Sequence, residues 1–205
     1  MIPQKLNNIK DFLIENQLSL SQNSRDGRID SAFNEDEVFN FIAKKFDIIY
    51  PKKRDWFDFA FEENNIFYPV NIKITNLSID NLNCKLGVYY ALTGKLLHFD
   101  NEIRWANLFE ALKENLESNT RDYYFLVINK QDKKDIFATC LKSLNSLVPN
   151  GNNLPFQANW AKNKTLVSRT YDEAKDFILG TLAKSLYQRA KAYDEFLDFF
   201  PEFKQ

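Results

Sequence analysis

The first apolar residues, Leu6, Ile9, Phe12 and Leu13, recur at helical spacing and predict a helix near the start of the chain. The stretch "SQNSRDGRID" (21–30) is polar, contains Gly27 and reads as a loop. A second helix is expected from Asn34, which can cap it, with Glu37 three residues on as in a capping box. Val38, Phe39, Phe41, Ile42 and Phe46 supply its apolar side. "DIIYPKK" (47–53) suits a short strand broken by Pro51. In "DFAFEENNIFYPVNIK" (58–73) the period changes to two, on either side of Asn64-Asn65. Asn tolerates the left-handed backbone of a two-residue hairpin turn, so the stretch predicts a β-hairpin.

If Glu63 pairs with Ile66, the register places Phe59 opposite Val70, Asp58 opposite Asn71 and Trp56 opposite Lys73. Alternation then puts Phe57, Phe59 and Phe61 on one face with Tyr68, Val70, Ile72 and Ile74, an apolar face that must be core. Asp58, Asn71 and Lys73 share the other, mostly polar face.

"NLNCKLGVYYALTG" (81–94) reads as a loop entering a short helix that stops near Gly94. Helical spacing returns in 101–118, with Ile103, Leu108, Phe109, Leu112 and Leu116. "DYYFLVIN" (122–129) is a continuous apolar run of strand length, expected to be buried. "PNGNNLPFQANW" (149–160) reads as a loop leading to an extended segment. A long amphipathic helix over 170–200 opens with a second capping box, Thr170 with Glu173, and Gly180 is a point where it could bend. This order predicts one α/β domain over 1–205, with a small mixed β-sheet flanked by helices and a long C-terminal helix.

Composition narrows the class without choosing a function. The chain has 205 residues, 44% apolar and 27% charged, as in a globular domain. Its net charge of −1 carries no overall basic bias, so nucleic-acid binding would need a local basic cleft. Cys84 and Cys140 lie in apolar sequence and read as reduced, buried thiols of a cytosolic protein. His98 is the only histidine, which a Ser-His-Asp or Cys-His mechanism would need, but no nucleophile motif surrounds it; packing or a surface position is expected. Zinc-ligand spacing, a signal peptide and a membrane-length apolar run are all missing from the sequence, so no membrane association is expected.

The hairpin carries the chemistry. Its register brings an acid, an amide oxygen and an ammonium to within roughly 4.5–8 Å between side-chain origins. Phosphodiester hydrolysis uses a metal ion to polarise the phosphate and lower the pKa of water. Carboxylate oxygens suit Mg²⁺, and a lysine can orient water and stabilise developing charge.

The stretch resembles the PD-(D/E)xK nuclease superfamily, which includes most type II restriction endonucleases. Asp58 matches the first Asp of the motif and Lys73 its lysine. Ile72 holds the variable position, whose backbone carbonyl usually ligates metal as well. Asn71 departs from the pattern, because an acidic residue usually stands there. The family often adds an acid from the preceding helix. Glu35 matches it better than Glu37, since Glu35 shares the stripe of Val38, Phe39 and Ile42 whereas Glu37 is explained by capping. The order from 34 to 129 also looks like the family's core, with 130–205 an extension for recognition or dimerisation. "NLNCKLGVYYALTG" and "PNGNNLPFQANW" are similar to segments of restriction endonucleases that carry Asn at this position.

The resemblance implies a prokaryotic, cytoplasmic, Mg²⁺-dependent endonuclease that cuts double-stranded DNA at a short specific sequence as a homodimer. Asp58, Asn71, Lys73 and Glu35 would be catalytic, with Asp58, Asn71, Ile72 and Glu35 as metal ligands. Asn81, Lys85, Asn152, Asn153 and Gln157 would contact DNA. Plainer readings stand beside each residue. Asp58 and Lys73 can belong to a solvated hairpin face, Glu35 can sit in a first helical turn, and "NGNN" is a turn of ordinary composition. Lys52, Lys53 and Arg54 could hold phosphates or be a solvated charge run. The alternatives for the whole chain are a DNA-binding member of the same fold with a naturally or artificially disabled site, and an interaction protein without a nucleic-acid role.

Overall fold

The computed structural model describes residues 1–16, 27–52, 55–97 and 104–204, and of 27–34 the backbone alone. Its helices are α1 (Gln4–Glu15), α2 (Gly27–Ala43), α3 (Lys85–Thr93), α4 (Trp105–Asn115) and α5 (Tyr171–Phe199). Its strands are β1 (Phe59–Glu63), β2 (Ile66–Thr75), β3 (Ile79–Leu82), β4 (Tyr124–Asn129), β5 (Ile136–Cys140), β6 (Leu147–Pro149) and β7 (Phe156–Asn159). Four strands form a mixed sheet in the order β1-β2-β4-β5. Within it β2 and β4 are parallel and both outer pairs are antiparallel. The parallel pair needs a crossover, which β3, α3 and α4 supply. A smaller antiparallel sheet has the order β3-β7-β6.

The expected hairpin forms in the expected register, with Phe59 opposite Val70 and Glu63 opposite Ile66. Asn64 and Asn65 have φ of 52° and 59°, the left-handed pair that a type I′ turn requires. The second capping box also forms: Glu173 N–H donates to Thr170 Oγ1, and Glu173 Oε2 accepts from Thr170 N–H. α5 runs on unbroken through Gly180. α3 stops at Gly94, whose φ of 68° is the left-handed helix end that glycine permits.

Other expectations are corrected. α2 begins at Gly27, so Asn34 lies inside the helix rather than at its N-cap position, and Gly27–Asp30 are helical rather than loop. Asn81 and Leu82 belong to a strand, not to the loop before α3. The segment after β2–β4 supplies β5 and β6, two strands without a clear period in the sequence. "DIIYPKK" forms only a single bridge, Ile49 with Ala60. His98, Ile103, Lys53 and Arg54 lie outside the described residues.

The mixed sheet is covered on both faces. One face packs Phe59, Phe61, Val70, Ile72, Leu126 and Ile128 against Leu6, Ile9 and Leu13 of α1 and Val38 and Ile42 of α2. The other packs Ala60, Phe125 and Val127 against α3, α4, α5 and the small sheet. The second hairpin face is therefore not a solvent face, because central β4 is apolar on both sides and takes cover on both. Asn71 and Lys73 are half-buried polar positions within it. Phe57 also changes sides: it packs with Ala60 and Phe125 rather than with Phe59. The regular ladder starts only at Phe59, so alternation does not extend back through Asp58.

Cys84 and Cys140 are buried free thiols. No described helix is long and apolar enough to cross a membrane. Beyond Ser185, α5 runs out of core, and Tyr187, Tyr193, Phe196, Phe199, Phe200 and Phe203 are exposed.

Candidate functional site

Asp58 sits where the chain enters β1. Its N–H donates to Val70 O (2.9 Å), and its Oδ2 accepts from Ile72 N–H at 2.6 Å. The carboxylate thus reaches along the edge of β2 and replaces the missing ladder bond. N–H and C=O of one residue leave a strand toward the same neighbour. The Ile72 carbonyl is therefore directed to the same edge, beyond the last β1–β2 pair.

Glu35 reaches this place from α2. Val38 and Ile42, three and seven residues on, anchor that helix face in the core and bring Glu35 over Asp58. Between α2 and the approach to β1 lies a cleft of about 310 Å³ lined by Glu35, Asp36, Phe39, Tyr50, Pro51, Lys52, Asp55, Phe57 and Asp58. Phe39 and Tyr50 meet edge to face at 4.5 Å in its wall. Glu37 does not line it. Asn71, Ile72 and Lys73 stand behind Asp58 rather than in the lining.

The carboxyls are strained electrostatically. Burial, and then the nearby Asp58 charge, raises Glu35 from an ordinary 4.5 to about 7, against opposing pulls from Lys73 and Lys130. Burial likewise raises Asp58, although the Ile72 N–H and the Lys73 ammonium favour its charged form. Two desolvated carboxyls with Asp36 beside them hold protons tightly, because Lys73 and Lys130 offset their negative charge only in part. A cation would take the protons' place.

Behind them, the Tyr123 hydroxyl donates to the Trp56 carbonyl at 2.6 Å. Asn71 Oδ1 is buried and has no protein partner, as are Thr139 Oγ1 and Trp160 Nε1 elsewhere among the described residues. Cys84, which the Lys73 charge also reaches, is pushed up to about 12 by burial and is no nucleophile.

Among the described residues no group of three or more His, Cys, Asp or Glu is placed to hold a metal ion. Any cation here would rest on the two carboxylates Glu35 and Asp58, completed by neutral oxygens. The unpartnered Asn71 Oδ1 and the Ile72 carbonyl are of that kind. An all-oxygen set suits a hard cation such as Mg²⁺ and not zinc. The residues present fit such an ion.

The residues expected to touch DNA divide into two groups. Asn81 and Gln157 are register partners across β3 and β7, and Gln157 Nε2 donates to Asn81 Oδ1 (3.3 Å). Asn150, the first residue of "NGNN", joins them by donating to Asn81 Oδ1 (2.9 Å). Asn152 and Asn153 are exposed on the loop between β6 and β7, which Arg189 fastens to α5 through the carbonyls of Gly151 and Asn152. Lys85 stands apart at the start of α3, its ammonium 4.4 Å over the Trp105 ring.

Asp36 and Tyr123 escaped the sequence reading. Asp36 falls in the acidic run "EDE", which signals a site only once α2 is known to cross the hairpin. Tyr123 looked like core, and the ring is. No protein-family model matches the chain, and no curated protein matches it.

Proposed function

We propose that this chain is a metal-dependent DNA endonuclease of the type II restriction class, with a PD-(D/E)xK-like site in which Asn71 takes the second acidic position. One observation carries the reading: Glu35 and Asp58, from different elements, meet beside Lys73 at the end of a hairpin whose neighbouring Asn71 oxygen has no protein partner. A solvated hairpin face would not desolvate both carboxyls. The element order, with a hairpin leading through helices to a parallel central strand, supports the same fold family.

Asp58, Glu35, Asn71 Oδ1 and the Ile72 carbonyl would hold Mg²⁺, which when bound polarises the scissile phosphate and acidifies water. Asp58 is oriented for this by the Ile72 N–H. Glu35 must lose its proton, so its raised pKa makes cation binding a competition with H⁺. The Lys73 ammonium orients the attacking water and offsets charge that develops on the phosphate. The small sheet and its loop present Asn81, Gln157, Asn152 and Asn153 as amides able to read base edges. A homodimer belongs to the reading, because a two-fold DNA site calls for two-fold protein symmetry.

The test is incubation with long mixed-sequence DNA and Mg²⁺. Discrete fragments with 5′-phosphate and 3′-hydroxyl ends are expected. Intact DNA at millimolar Mg²⁺ or Mn²⁺ would reject the enzyme, and absence of a mobility shift as well would reject DNA binding.

A further inference from the structure

Ile178, Thr181 and Leu182 turn one face of α5 into the core. An α-helix repeats its face every five turns, or about 18 residues. Phe196, Phe199 and Phe200 stand one such repeat after those three, so they extend the same face beyond the end of the core. There the face is uncovered. From Ala190 to Phe199 every residue except Leu197 is exposed, Phe199 at 80%. A helical segment this short is marginal in water without tertiary contact. Arg189 marks where contact with the body stops, because it ties the helix to the carbonyls of Gly151 and Asn152.

The aromatic end forms one unit. A 3₁₀ turn, Pro201–Phe203, follows α5. The rings of Phe196, Phe200 and Phe203 gather at centroid distances of 5.1, 6.1 and 6.5 Å. With Phe199, these rings leave roughly 450 Å² of each chain in water. Two such ends pressed together would hide about 900 Å² of aromatic surface before flanking side chains count, against about 1,200 Å² for a small specific interface.

The charges identify the cover. Lys184, Arg189 and Lys191 come first along the helix; Asp194, Glu195, Asp198 and Glu202 follow, with Lys204 after them. Four carboxylates among the phenylalanines repel nucleic acid and anionic lipid. A partner must bring cations to the acidic end and anions to the basic stretch. A second copy laid antiparallel brings both, and a two-fold axis repeats the match. A parallel copy would set like against like. Lys191 and Glu195 pair within the helix at 3.3 Å, but both are exposed, and such a pair exchanges partners at little cost.

We propose that α5 from Arg189 onward, with the turn that follows it, is the surface on which a second copy of this chain docks antiparallel, with Phe196, Phe199 and Phe200 as its apolar centre. The proposal goes beyond the nuclease reading: it locates a two-fold contact and stands without DNA.

The experiment is sedimentation of the full chain at micromolar concentrations. The parent should sediment at twice the chain mass of 24.2 kDa. Phe196→Glu with Phe199→Glu should raise the dimer dissociation constant by about 100-fold or more, as loss of central aromatic anchors does, while a cooperative thermal transition remains. Lys184→Glu with Lys191→Glu should dissociate the dimer as well. Adding Asp194→Lys, Glu195→Lys and Asp198→Lys should restore it, because the charge blocks are then exchanged on both copies. Spin labels at Lys184→Cys should lie more than about 25 Å apart, since antiparallel helices carry residues away from the axis by about 1.5 Å each; Cys84 and Cys140 are buried and take no label. A monomeric parent overturns the proposal. So does a dimer that survives the phenylalanine variant, which would place the contact on another face, or a pair of labels in close contact, which would make the helices parallel. If the phenylalanine variant fails to fold, the charge exchange decides: a dimer unmoved by the first set of changes, or not restored by the second, overturns the proposal. A dimer that cuts no DNA counts against the nuclease reading and leaves this one standing.

Discussion

Glu35→Gln should make the metal-free protein more stable at pH 8 and change its stability much less at pH 5. The Glu35 carboxyl has an ordinary value of 4.5 and is raised to about 7 in the fold, chiefly by burial. Below 4.5 the group is protonated in folded and unfolded chains alike and costs nothing. Between 4.5 and 7 the folded state holds the proton that the unfolded state releases, so stability falls as pH rises. Above 7 the penalty is complete. At 1.36 kcal/mol per pH unit its ceiling is about 3.4 kcal/mol. Solvent access to a half-buried carboxyl reduces this to about 1–2 kcal/mol. Gln keeps the shape and a donor without the charge, so at pH 5 it closely mimics the protonated acid. Thermal melts of both proteins in EDTA at pH 5 and pH 8 are the assay. The variant should melt about 2–8 °C above the parent at pH 8. Added Mg²⁺ should stabilise the parent and do less for the variant, while cleavage is lost. Melting temperatures that differ equally at both pH values, or not at all, would refute the desolvated-carboxyl argument.

Further outcomes follow from the same geometry. Lys73→Ala should lower single-turnover cleavage by about 10²–10³-fold with DNA binding retained; it should also move the Glu35 titration upward, because Lys73 is one of the charges holding it down. Full cleavage by the variant would remove Lys73 from the mechanism. Asp58→Ala should weaken Mg²⁺ binding in calorimetry and destabilise the protein by about 1–3 kcal/mol, because the Ile72 N–H loses its acceptor. Unchanged metal binding would place the cation elsewhere. Gly87→Ala should cost about 1–3 kcal/mol in urea unfolding, since the new Cβ would press on the Tyr123 ring. A neutral result would show that α3 can retreat freely.

What the sequence determined by itself was local. The left-handed pair Asn64-Asn65, the Thr170–Glu173 box and the Gly94 stop each involve residues at most three apart, where backbone sterics and one or two hydrogen bonds decide the outcome. The pairing of Phe59–Glu63 with Ile66–Val70 was legible because a tight turn fixes register at once. The start of α2 was not, since tertiary contact from Val38 and Ile42 sustains a helix through a polar stretch that composition assigns to a loop. Nor were β3, β5 and β6, whose few residues gain their bonds from distant partners and have too little length to show a period. Only the fold covered the second sheet face, moved Phe57 across the sheet and carried Glu35 to Asp58. Above all, only the fold brought the Tyr123 hydroxyl to the Trp56 carbonyl, joining residues 67 positions apart. A hydrogen bond of that span leaves no periodicity in a chain. It exists because β4 lies beside β2, and that pairing is a property of the whole core.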